Sequence, residues 1–283
     1  MKVAVLGASG GMGSFFVRYF LEKGDTVRGS DPGRRKGDRG LASFPTNAEA
    51  VRGCDVTVMA VPMDSTLEVA REVAAKLKPG STLVEMSSVK GETLPALRKL
   101  LGEKVTLLSI HPLFGPALGS TKGMKIAVIA SKKRGPEAAL ARSLFPDSRI
   151  IPMSRKEHDK TMAVVLSLTH LLNVVYAATV SQFLSPEEFM RVSTPNSSMQ
   201  LTLAEAILAQ DARLSYGIQA GNEYTGNVAR AASRELKRVL ETIEKSDWKA
   251  FEEHFSELSK RYKSDKRASS VIREVYSAAE KAA

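Results

Sequence analysis

Val3-Ala4-Val5-Leu6-Gly7-Ala8-Ser9-Gly10-Gly11-Met12-Gly13 is the stretch that decides the fold. The apolar run Lys2–Leu6 is rich in valine and is stopped by Gly7, which predicts a buried parallel strand. Ser14–Lys23 then follows helical spacing, with Phe16, Tyr19 and Phe20 on one side and Gly24 as its C-cap. Gly7, Gly10 and Gly13, with Gly11 and Met12 among them, form a variant of the G-x-G-x-x-G pattern. Small residues let the backbone turn sharply and approach a pyrophosphate, and the helix N-terminus supplies free N–H groups with partial positive charge. A second strand, Thr26–Ser30, ends at Asp31, the acid expected to bond the adenosine ribose hydroxyls and so to favour NAD. Arg34-Arg35-Lys36 follows and is suited to a 2′-phosphate, which leaves NADP open.

The same beat continues through Val56–Val61, Thr82–Met86, Thr106–Ile110, Lys125–Ile129 and Arg149–Ile151, with helical segments near 47–52, 66–77, 92–101 and 136–144. Strands alternating with helices predict an α/β, Rossmann-type, doubly wound parallel sheet over residues 1–152. Residues 153–283 are expected to form an all-α substrate and dimerisation domain, joined near Pro146–Met153. Charge divides the same way. Residues 1–150 hold 23 Lys and Arg against 14 Asp and Glu, whereas residues 151–283 hold 18 against 17. Most of the formal charge of +10 therefore lies in the glycine-rich half, which should meet an anion.

Composition excludes several classes. A hydrophobic content of 43% is too high for wholesale disorder. One cysteine, Cys54, excludes a disulfide framework and a cysteine-clustered metal site, and no metal is expected. The basic residues lack the aromatic interleaving of a nucleic-acid binder. Met1 runs into the first strand without a charged leader, so a cytoplasmic location is expected.

In open parallel sheets, ligands bind outside the carboxyl ends of the strands. Ala60-Val61-Pro62 is a tight turn placed to lie along the cofactor. Glu85–Gly91 and Ser109–Pro116 end the next two strands, the latter through His111-Pro112. A neutral imidazole at His111 can take a proton from an alcohol as hydride leaves.

Ser88-Val89-Lys90 and His111-Pro112-Leu113-Phe114-Gly115-Pro116, behind the Gly7–Gly13 loop, resemble the prephenate dehydrogenase family of tyrosine biosynthesis. Glu157-His158-Asp159, Leu168-Thr169-His170 and Ala209-Gln210-Asp211-Ala212 are similar to its helical domain. The resemblance implies oxidative decarboxylation of prephenate to 4-hydroxyphenylpyruvate, with arogenate as the alternative substrate. It implies that His111 holds and deprotonates the ring hydroxyl, that Ser88 orients the hydroxyl and the histidine, and that His170 lines the substrate pocket. The family's arginine for a substrate carboxylate falls at Ala206 here, and Arg191, Arg213 and Lys160 are the available replacements. A homodimer through the C-terminal helices also matches the family.

Met162–Phe183 is 22 residues long and mostly apolar. Ser167, Thr169, His170, Asn173 and Gln182 interrupt it, so it is read as a buried core helix rather than a membrane span. Ser167, His170 and Asn173 share one face, which is assigned to substrate contact. Two long amphipathic helices are expected at Glu223–Lys245 and Trp248–Lys281. The competing functions are dehydrogenation of another small hydroxy acid and cofactor sensing without turnover.

Overall fold

A computed structural model of the protein describes residues 1–32, 41–117, 120–262 and 267–282. The Arg34-Arg35-Lys36 cluster lies outside the described residues. Two compact units form, Met1–Ser167 with Gln210–Thr225, and Leu168–Ala209 with Gly226–Ala283. The expected join at Pro146–Met153 lies within the first unit, and Gln210–Thr225 returns to that unit from the helical half.

The first unit holds an eight-stranded sheet in the order β3-β2-β1-β4-β5-β6-β7-β8. Its strands are β1 (Lys2–Leu6), β2 (Thr26–Ser30), β3 (Ala42–Phe44), β4 (Val56–Met59), β5 (Thr82–Glu85), β6 (Thr106–Pro112), β7 (Lys125–Ile129) and β8 (Arg149–Met153). β1 lies between β2 and β4, where the winding direction reverses, and this reversal opens the crevice in which such sheets bind ligands. The expected doubly wound sheet is present and mostly parallel, with one pairing of opposite direction. β7 runs antiparallel to β6, pairing His111 with Ala127 and Ile110 with Val128. Among the described residues no helix separates these two strands, and a parallel connection needs one or a comparably long crossover.

Alternation along β1 explains why both faces are covered. Val3 and Val5 join Phe15, Phe16 and Phe20 of α1 (Gly11–Glu22), with Phe145, in one core cluster. Ala4 and Leu6 join a second cluster on the other face, with Ala70, Val73, Leu97 and Leu101. The last four come from α3 (Thr66–Ala74) and α4 (Thr93–Leu101), while α2 (Asn47–Ala50) adds Ala50. A sheet buried on both faces reads as apolar runs, which is how these strands were recognisable. α5 (Arg134–Leu144) and α6 (Arg155–Met162) flank the antiparallel edge, and α10 (Ala212–Ala220) completes the unit.

The second unit is helical: α7 (Thr169–Val180), α8 (Pro186–Val192), α9 (Pro195–Leu208), α11 (Thr225–Glu244), α12 (Trp248–Arg261) and α13 (Arg267–Ala282). α7 packs on α9, where Gln200 donates to Asn173 Oδ1 at 2.9 Å. Capping boxes at Ser185 with Glu188, and at Thr194 with Ser197, start α8 and α9. The single helix expected at Trp248–Lys281 is two helices, since α12 ends at Arg261 with basic residues in its last turn. The apolar segment also departs from expectation. The helix Arg155–Val180 includes a π-helical turn, Ala163–Leu168, and is long and apolar enough to cross a membrane. Only 22% of its most apolar window is buried, and Val164, Val165, Leu172 and Val175 are exposed. Among the described residues it is thus a largely exposed helix rather than the expected core helix.

Among the described glycines, Gly13 has the least room for a side chain, since a Cβ there would stand 1.9 Å from the Gly7 carbonyl oxygen. Gly13→Ala is expected to cost about 1–3 kcal/mol or more in urea unfolding, because backbone rather than a flexible side chain must move. Gly135→Ala, where nothing lies within 4 Å, should be neutral or stabilising by up to about 1 kcal/mol.

Candidate active site

Gly7 adopts φ +80° and a Cβ there would meet the Ala60 carbonyl oxygen at 2.3 Å, so the turn after β1 requires glycine. The loop is anchored on β2, with Gly7 N–H donating to Ser30 O at 2.8 Å and Ser9 N–H to Asp31 Oδ2 at 2.9 Å. α1 then begins with Gly10 as an N-cap that offers no side-chain acceptor. Its first N–H groups are left for an external acceptor, the arrangement that favours an anion. The crevice also has a second wall. Val61 and Pro62 follow β4, and a Cβ on Gly11 would lie 2.9 Å from Pro116 of the His111 loop. Phe114 of that loop packs at a tilt against Phe15, with centroids 5.4 Å apart. The glycine loop and the histidine loop thus touch. A Cβ-free cradle, a helix N-terminus and a carboxylate at the end of β2 fit a dinucleotide.

At the ends of β5 and β6 lies a buried polar cluster. Lys90, fully buried, donates from Nζ to Glu85 Oε2 at 2.8 Å and to the Ile110 carbonyl at 2.6 Å. Ser109 Oγ donates to the same Glu85 oxygen at 2.7 Å, and Ser87 donates to the other through its N–H and hydroxyl. Burial pushes the Lys90 ammonium down from its ordinary range, and Glu85 pulls it back up.

His111 follows Ile110 directly and is 6% exposed. Its Nδ1 lies 3.0 Å from His158 Nε2, and His158 Nδ1 lies 2.8 Å from Asp159 Oδ1. Burial, then the charge of Lys90, hold the His111 pKa well below the ordinary imidazole value. Burial also lowers His158, against the pull of Asp159. Both rings are neutral at neutral pH, as a base awaiting a proton must be. Asp159 also accepts from Lys90 N–H at 3.4 Å, and Asn222 Nδ2 donates to the Asp159 carbonyl at 2.7 Å.

The remaining expected residues are placed as follows. Ser88 is half-buried, and its hydroxyl makes no hydrogen bond among the described residues, to His111 or otherwise. Ser167 is buried and donates to the Ile218 carbonyl at 3.3 Å. Arg213 is exposed on α10, where its backbone N–H completes the Asp211 cap. Lys160 sits over the Tyr224 ring, 5.6 Å from its centroid. In the second unit, His170 is buried with its pKa lowered by burial, while Arg191 and Ala206 are exposed. Glu85, Lys90, His158 and Asp159 were not chosen as site residues from sequence, although an acid and a lysine five residues apart at the end of one buried strand are themselves a signal.

Comparison with known proteins gives a consistent result. The family model described as prephenate dehydrogenase, nucleotide-binding domain, matches residues 22–178, and that described as prephenate dehydrogenase, dimerization domain, matches residues 154–257. A probable arogenate/prephenate dehydrogenase of Methanocaldococcus jannaschii is 24% identical over 94% of this chain and 62% of its own length. The chain thus spans less than two thirds of that relative. The 4-amino-4-deoxyprephenate dehydrogenase of Streptomyces pristinaespiralis is 25% identical over 91% of this chain and 90% of its own. The crystal structure of the A. aeolicus prephenate dehydrogenase with hydroxyphenyl propionate and NAD+ shares the fold, with a TM-score of 0.75 and 18% identity, covering 94% of this chain and 98% of that one.

Two outcomes test this electrostatic arrangement. Lys90→Met leaves the buried Glu85 carboxylate without its cation and should cost about 3–5 kcal/mol in urea unfolding, partly recovered by adding Glu85→Gln. A folded-state imidazole pKa below the unfolded value of 6.5 means that the unfolded chain binds more protons just beneath that pH. The His111 contribution is therefore present above 6.5 and lost as pH falls further. His111→Asn should flatten the decline in unfolding free energy between about pH 7.5 and about pH 5.5.

Proposed function

Because the chain belongs to the prephenate dehydrogenase family, we propose that it converts prephenate to 4-hydroxyphenylpyruvate with a nicotinamide cofactor. The observation that carries this reading is His111, buried with a lowered pKa at the carboxyl end of β6, on the strand whose following loop touches the glycine loop through Pro116 and Gly11. Gly7, Gly10, Gly11, Met12 and Gly13 would hold the pyrophosphate, Val61 and Pro62 would flank the cofactor, and Asp31 would bind the ribose hydroxyls. A carboxylate is acceptor-only and repels a 2′-phosphate, which favours NAD over NADP. Bound there, the nicotinamide supplies a hydride acceptor for substrate C4.

His111 takes the ring hydroxyl proton as C4 is oxidised. It returns that proton to the same oxygen once loss of the ring carboxylate as CO2 has made the ring aromatic. Ser88, with a hydroxyl not engaged among the described residues, orients the substrate hydroxyl. Ser167, His170 and Arg213 are assigned to the substrate, Arg213 standing in for the family arginine replaced by Ala206. The exposed apolar residues Val164, Val165, Leu172 and Val175, with Leu236, Ile243 and Phe255 further on, support a homodimer.

Steady-state NADH formation with prephenate and with arogenate tests the reaction. Prephenate should be turned over, and His111→Asn should lower kcat by about 10²–10⁴. Absence of turnover with both substrates overturns the reading, and turnover of arogenate alone moves it to that substrate. Sedimentation should give a dimer that Val165→Glu converts to monomer.

A further inference from the structure

His158 and Asp159 stand behind His111 in a hydrogen-bonded chain whose direction is fixed by chemistry. A carboxylate has no proton to give, so Asp159 Oδ1 accepts, and His158 must carry its proton on Nδ1. A neutral imidazole has one N–H, so His158 Nε2 is an acceptor. The 3.0 Å contact from His111 Nδ1 then requires that His111 carry its proton on Nδ1. Only His111 Nε2 is left with a free lone pair.

We infer that His158 and Asp159 are positioning residues that make Nε2 of His111 the basic nitrogen and hold the imidazole in the one tautomer able to take a substrate proton. The inference rests on the proposed reaction only for the source of that proton. When Nε2 is protonated, the His111 N–H on the other side becomes a stronger donor, and His158 Nε2, backed by the Asp159 carboxylate, accepts it more tightly. The proton added at Nε2 comes from the substrate hydroxyl and goes back to that oxygen, so the cycle closes without net gain or loss.

The surroundings suit storage rather than export. His158 is fully buried and Asp159 nearly so, and Asp159 is fixed by the Lys90 N–H. The charged and titratable groups facing the chain are Lys90 and Glu85 from the β5 end and Asp159 itself from α6. Lys90 disfavours a lasting imidazolium at His111, which promotes the return of the proton.

Nitrogen-15 NMR of histidine-labelled full-length protein, without substrate, tests the assignment directly, with the His111 and His158 signals identified by His111→Asn and His158→Gln. Both rings should show a protonated Nδ1 and an unprotonated Nε2; a His111 protonated on Nε2 overturns the inference. This readout stands even if neither prephenate nor arogenate is turned over, so it separates failure of the inference from failure of the proposed reaction. In an active enzyme, His158→Gln keeps an acceptor for the His111 N–H and should retain kcat to within about tenfold, whereas His158→Phe should lose about hundredfold or more with KM little changed. Equal losses in the two variants contradict the positioning role.

Discussion

The Lys90–Glu85 pair is the interaction on which the rest of the site depends. A fully buried lysine is tolerated only when its ammonium is paired and its donors are used, and Glu85 together with the Ile110 carbonyl supplies both. Because Glu85 ends β5 and Ile110 lies within β6, this pairing ties the turn carrying Ser87 and Ser88 to the strand that carries His111. It also places a cation whose charge acts on His111, while the Glu85 carboxylate acts on His158. The lowered pKa of His111 owes most to its burial and next to this cation.

The same sheet edge carries the rest of the chemistry. β1, β4, β5 and β6 run parallel, so the glycine loop, the Val61-Pro62 turn, the Ser88 turn and the His111 loop all emerge on one side. Contact between Gly11 and Pro116 brings the first and last of these together across the sheet. The positive charge that marks the first half of the sequence is partly spent inside the fold, at Lys90. The remainder is a field suited to an anionic dinucleotide and substrate.

Much of this was legible in the sequence because buried parallel strands are apolar on both faces and the glycine loop has one stereochemical purpose. β3 was missed because Ala42-Ser43-Phe44 is too short, and too exposed at the sheet edge, to carry a pattern. β7 was read with its observed bounds, but its antiparallel direction was not, because strand direction leaves no mark on residue type. Met162–Phe183 misled for a different reason: apolar content measures what must be covered, not which chain covers it. α8 and α9 were announced by Ser185-Pro186-Glu187-Glu188 and Thr194-Pro195, capping signals that apolar periodicity overlooks. His111 stood out by its place at a strand end. His158 could not, since its value lies in a contact spanning 47 residues of sequence.

The central claim is that one buried neutral imidazole takes and returns a hydroxyl proton while the neighbouring carbon is oxidised and the ring loses its carboxylate. Following deuterium from C4-labelled prephenate, together with CO2 release, tests it most directly. The account predicts deuterium on the reduced nicotinamide and CO2 formed in equal amount to NADH. Deuterium appearing in water, or NADH formed without CO2, would contradict it.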